Sequence, residues 1–253
     1  MKKIVMEMEK MRRKAWVLRV AGAVLWILCV AGCFAAFAFP EEAVIPAVSS
    51  GIIGTIILVI SNNETSKLKK YIAKNLIYSI LSESFGDLEY NNSKKIDKER
   101  IKATGLIENW NSMSGNDYFK GTYKNITVEF CDVQLVYEYP KLEDRSFAEE
   151  EIVFSGTWLI CDYGNNLPEH LRADKEVRQS GISENDKITA KYYTNGNIVH
   201  FAIQNNYDYF EININKHEIK DVNVLCEKFR AEVHSITDTI DKVTKDDTFL
   251  RQK

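Results

Sequence analysis

No cysteine in this chain has a second cysteine at C-x-x-C spacing, and the five present are an odd number. That excludes a zinc ribbon or C-x-x-C redox centre and argues against a disulfide framework, so Cys29, Cys33, Cys131, Cys161 and Cys226 read as free thiols packed like small apolar groups. The four histidines, His170, His200, His217 and His234, lack H-x-x-x-H or H-E-x-x-H neighbours. No metal site and no cofactor is therefore expected. A Gly-rich phosphate loop is missing, and so is a G-x-S-x-G elbow for a serine nucleophile. Internal repeats and low-complexity linkers are absent too. Nor is there an excess of positive charge: 33 Lys and Arg stand against 36 Asp and Glu, a net of −3. Nucleic acid needs a concentrated positive field and is not an expected partner.

Charge is also lacking from two long stretches, and here the sequence becomes informative. Residues 20–39 carry no charged side chain, and residues 44–60 carry none either. At about 1.5 Å per residue the first run reaches across the roughly 30 Å of a bilayer's hydrocarbon, and the second is just long enough. A signal peptide would have a shorter apolar run, about 7–15 residues, and no second span directly behind it. Pro46 is expected in the first turn of the second span, where a missing N–H costs little. Seven Lys and Arg precede the first run, Lys67, Lys69, Lys70 and Lys74 follow the second, and none stands between. The positive-inside rule then puts both termini in the cytoplasm, with Trp16 at the inner interface. Gly32 with Ala36, and Ser50 with Gly54, are small residues four apart. They serve either packing within the hairpin or a homo-oligomer between hairpins.

Residues 61–65 read as a break, followed by a helix over 66–84 and a short one near 97–106. Six strands are expected at 117–123, 126–139, 152–163, 187–193, 197–204 and 207–214. The sites of Lys124-Asn125 and Asn195-Gly196 have hairpin-turn spacing. Alternation slips phase near Cys131-Asp132, as a β-bulge there would cause. A charged loop covers 140–151, residues 165–183 read as irregular, and an amphipathic helix closes the chain at 221–243. The fold class is α+β: a membrane anchor over residues 1–63, then a cytoplasmic domain over 64–253 with an antiparallel sheet flanked by helices. A pleckstrin-homology-like barrel is the alternative closure.

Few residues suggest chemistry. Asp117, Asp132 and Asp162 sit at strand ends or the bulge, where a carboxylate pair could act as acid and base, or simply cap turns. Trp110, Tyr118, Phe119, Tyr123 and Trp158 are candidates for a binding face, with core packing as the plainer role. His200 is expected to face solvent from its strand, and His234 to lie beside the last helix's stripe.

Two stretches carry a resemblance. Gly115-Asn116-Asp117-Tyr118-Phe119-Lys120-Gly121-Thr122-Tyr123 resembles a D-aromatic-x-G strand. Phe154-Ser155-Gly156-Thr157-Trp158-Leu159-Ile160, with Asp162-Tyr163 behind it, resembles an F-x-G-hydrophobic strand. Residues 196–203 leading to Tyr209-Phe210-Glu211 add a third match. With two N-terminal spans, the chain is similar to the bacterial membrane proteins called domain of unknown function 3137, part of whose usual middle segment it lacks. That resemblance implies an inner-membrane address and a fold, and carries no reaction. The expected function is a membrane-tethered, non-catalytic binding or scaffold protein. Its partners would be the lipid bilayer and another membrane or cytoplasmic protein. A membrane-associated hydrolase using the strand-end carboxylates is the other class.

Overall fold

Glycine at 22, 32, 51 and 54 lets two helices run in direct contact. The computed structural model describes residues 2–36, 39–140, 149–172, 178–182, 188–205, 208–212 and 222–245. Helices α1 (Lys2–Ala35) and α2 (Pro40–Ile72) belong to the first of two units, Met1–Leu76 with Ile212–Leu225. A Cβ added at Gly32 would stand 2.7 Å from the Ala47 methyl, and one at Gly51 would stand 2.8 Å from Cys29 Sγ. These small residues therefore meet inside the hairpin. Large apolar side chains point the other way: Ile27 and Phe34 on α1, and Ile45, Ile52 and Val59 on α2, are exposed. Both helices are long and apolar enough to cross a membrane.

The hairpin differs from expectation in two places. Pro46 lies inside α2, because the helix already begins at Pro40. The polar stretch 61–65 does not stop α2 either. Ser61 donates to the Ala15 carbonyl at 2.8 Å, and Glu64 reaches Lys14 at 3.1 Å and Lys67 at 2.9 Å. Polar groups that find partners across the hairpin have no need to leave the helix. A π-turn at Ala73–Ile77 and the short α3 (Tyr78–Leu81) follow.

The second unit, Ile77–Glu211 with Cys226–Lys253, is built on one sheet of seven antiparallel strands. They are β1 (Gly86–Asn91), β2 (Ser112–Tyr123), β3 (Ile126–Glu138), β4 (Glu150–Asp162), β5 (Arg178–Ile182), β6 (Ile188–Asn195) and β7 (Ile198–Gln204). Their order is β1-β2-β3-β4-β7-β6-β5, an open ladder with two edges. Lys124 and Asn125, both at positive φ, turn β2 into β3, and Gly196 at φ +60° opens the turn between β6 and β7. Helix α4 (Lys98–Lys102) is capped by Asp97, which accepts from Glu99 N. Helix α5 (Val222–Lys245) buries Phe229, Val233, Ile236, Ile240 and Val243.

Strand β3 is central and covered on both faces, which explains the phase slip. Val128 and Phe130 are buried on one face, and Cys131, Val133 and Leu135 on the other. β3 stays in register with β4 from Thr127 to Leu135. The extra residue is on β2, between Asn116 and Phe119. Strands β1 and β5, in stretches read as loop, add the two edges. Of the expected strand 207–214, residues Asp208–Ile212 are not strand, and the others lie outside the described residues. Asp132 and Glu232 hold that chain by accepting from Tyr209 N at 2.8 Å and Phe210 N at 2.9 Å. Those bonds replace a ladder. Of the expected charged loop, residues 141–148 lie outside the described residues, and Glu150 and Glu151 open β4.

Candidate functional site

A bulge turns the backbone, and at this one the chain assembles carboxyl groups. Asp117 occupies it at φ +55°, a left-handed conformation that Asp tolerates better than most residues. The turn brings Asp117 beside Asp132 of β3 and Asp208 beyond β7, with one oxygen of each within 4.8 Å of the others. Asp117 and Asp132 are buried and Asp208 is exposed.

Each buried carboxyl has its own donors. Tyr90 of β1 donates to Asp117 Oδ1 at 2.5 Å, and Asn116 Nδ2 donates to Oδ2 at 2.6 Å. Asp132 accepts from Thr157 Oγ1 at 3.2 Å and from Tyr209 N at 2.8 Å. Asn205 Nδ2 supports Thr157 Oγ1 at 3.3 Å. Burial is the main force on their protonation. It pushes Asp117 up to about 7 against the pull of Tyr90, with Asp208 adding to the rise. It pushes Asp132 up to about 8 against the pull of the Tyr209 amide, with Asp117 adding to the rise. Near neutral pH the cluster holds protons where isolated carboxyls would not. Tyr90, against Asp117, is held well above the usual phenol range by burial first and by that carboxylate second.

Two of the three carboxyls, Asp132 and Asp208, line a recess of about 350 Å³ whose wall also includes Asn116, Ser114, Gln134 and Ser155. Two glycines in its wall lie hard against neighbouring backbone. A Cβ at Gly156 would stand 2.1 Å from the Ile203 carbonyl, and one at Gly115 would stand 2.6 Å from the Asp132 carbonyl. Only glycine permits those backbones to close up.

Of the three carboxylates singled out by sequence, the fold joins two. Asp162 lies five residues along β4 from Thr157, about 17 Å at strand spacing, exposed and accepting from Gly164 N at 2.9 Å. Asp208, Tyr90, Asn116 and Thr157 were not foreseen. Their positions along the chain carry no sign of the meeting, which depends on β7 docking against β4. The expectation of no metal site rested on histidine spacing. The three aspartates offer oxygen ligands of the kind Mg²⁺ or Ca²⁺ takes.

The aromatic candidates do not form one surface. Trp110, Tyr118 and Trp158 share one core cluster, while Phe119 and Tyr123 pack against Phe85 at 4.9 and 5.6 Å. Trp158 is fully buried and donates to His200 Nδ1 at 3.3 Å. His200 is thus not a solvent-facing residue: it is buried, and burial lowers it to about 4. His234 is exposed and 3.5 Å from Asp238. Glu129, on β3, accepts from Arg100 at 2.8 Å, Tyr118 at 3.1 Å and Lys120 at 3.3 Å. Burial raises its carboxyl, and Arg100 with Lys120 outweighs that, holding it below the usual range. No protein family, curated protein or solved structure matches this chain.

Proposed function

We propose that this protein is a membrane-tethered, non-catalytic binding module of a bacterial inner membrane, with both termini in the cytoplasm. The observation that carries the tether is the inversion of the hairpin: glycines meet inside and large apolar side chains face out, the reverse of a water-soluble pair. The basic residues of α1 before position 20 and those after position 66 support the orientation. So does the resemblance of residues 115–123 and 154–160 to motifs of the bacterial family called domain of unknown function 3137. The domain's ligand is received at the acidic recess, where the carboxylates of Asp132 and Asp208, once ionised, suit a cationic group. The buried carboxyls already accept hydrogen bonds from Tyr90, Asn116, Thr157 and the Tyr209 amide, which favours holding a ligand over turning one over.

Alkaline phosphatase and green fluorescent protein fused after Ser61 test the topology. Fluorescence without phosphatase activity is expected; phosphatase activity there overturns the orientation. For the recess, Ca²⁺ and Mg²⁺ are titrated into the full chain at pH 8.5, with Asp208→Asn beside it. A rise in melting temperature that the variant loses is expected, and no rise in the parent removes the cationic ligand.

One observation favours the hydrolase reading. Carboxyls at about 7 and about 8 are poised for proton transfer at neutral pH. Turnover of a phosphoester or ester substrate lost in Asp132→Asn would replace the binding reading with that one.

A further inference from the structure

A helix that leaves a bilayer passes the layer where lipid phosphates lie, and α1 does so through the residues before position 20. Met6, Lys10, Arg13 and Val17 are spaced four, three and four apart and share one face of α1. It is not the face that packs in the hairpin, where Met8 and Ala15 are buried. Among the described residues these four, with Lys14 and Leu18, line a groove of about 580 Å³. Met6 and Val17 are more than half exposed. The same spacing continues through Val20, Val24 and Ile27, all exposed. One stripe therefore runs from two cations onto an apolar surface.

Charge in the groove is positive. Its acidic neighbour Glu9 is taken up by Arg12 at 2.7 and 2.9 Å, and Lys14 is engaged by Glu64. Among the described residues no carboxylate pairs with Lys10 or Arg13. We propose that this groove binds an anionic glycerophospholipid of the cytoplasmic leaflet. Its phosphate sits between Lys10 and Arg13, and its acyl chains lie along Val17, Val20 and Val24. The proposal rests on the membrane-tether reading. Complementarity of charge names the headgroup, and continuity with the outward apolar stripe names a lipid as the molecule that carries it.

The test uses the full chain in a mild non-ionic detergent, titrated with phosphatidylglycerol or phosphatidylcholine of equal chain length. Bound lipid is counted by native mass spectrometry. A preference of about thirtyfold for phosphatidylglycerol is expected from two cations at a lipid surface. K10Q/R13Q should abolish that preference, while K69Q/K70Q, which removes as much charge from α2, should keep it within about twofold. Equal binding of the two lipids overturns the proposal, as does the same loss in both double variants, which would mean diffuse attraction. Competition by inorganic phosphate at matched concentration also overturns it, in favour of a simple anion site. Carbonate extraction of native membranes separates the two readings. A chain that washes out sinks the tether and this groove together; a chain that stays but lacks lipid preference sinks the groove alone.

Discussion

At the scale of single residues, the acid cluster makes stability depend on pH in an unusual direction. Asp132 titrates at about 8 in the folded chain against an ordinary 3.8, so the folded state holds a proton the unfolded state has released. That contribution is complete below about pH 4 and is lost as pH rises through about 8. Chemical denaturation between these limits should show stability falling with pH, and Asp132→Asn, which cannot ionise, should flatten the fall. A curve of unchanged slope in the variant would mean that Asp132 is not the titrating group. Trp158 gives a second measurement. It is fully buried between Phe154, at a ring distance of 6.1 Å, and His200, so Trp158→Ala should cost ~3–5 kcal/mol in the same assay. A loss within about 0.5 kcal/mol would place the indole outside the core. Trp158 was readable as core from its alternation with Phe154 and Ile160. Asp208 was not readable at all, because its partners lie 76 and 91 positions away in the chain and only a docked sheet unites them.

Among the elements, legibility followed how many faces an element buries. Helix α5 presents one continuous pattern and lies within two residues of its expected bounds, whereas both hairpin helices run well beyond the charge-free stretches that marked them, over Lys2–Ala35 and Pro40–Ile72. Strand β3 buries both faces, so its periodicity reported two cores and imitated a bulge. Strands β1 and β5 are the two edges of the sheet, β1 is mostly exposed, and the sequence passed over both. The helix through residues 61–65 was hidden for a different reason. Ser61 and Glu64 look like helix breakers until Ala15 and Lys14 stand opposite them. The hairpin seam can be tested covalently. A Cβ at Gly51 would lie 2.8 Å from Cys29 Sγ and 3.6 Å from its Cβ, close to disulfide geometry. Gly51→Cys in a Cys33→Ser background should therefore crosslink within one chain when membranes are oxidised. Protease mapping that finds only bonds between chains would move the glycine seam from the hairpin to a dimer.

For the whole molecule, residues 64–253 hold a seven-stranded sheet and its helices, and a chain shortened to begin at Glu64 should be soluble and unfold cooperatively. Insolubility under several conditions, or a non-cooperative melt, would mean that the missing helices complete its core. The sheet order carries one more consequence. Strands β1 to β4 each pair with their neighbour in sequence, but β4 finds its second partner only in β7, across all of β5 and β6. Closing that loop costs entropy before any ladder bond repays it. A ribosome therefore releases a four-stranded meander whose open edge, the strand bearing Phe154 and Trp158, stays unpaired until residues 198–204 emerge. An unpaired edge of that kind joins other copies readily in free solution. On the proposed tether, the hairpin would hold each nascent domain to its own place at the membrane surface while that edge waits, and the anchor would serve folding before it serves as an address.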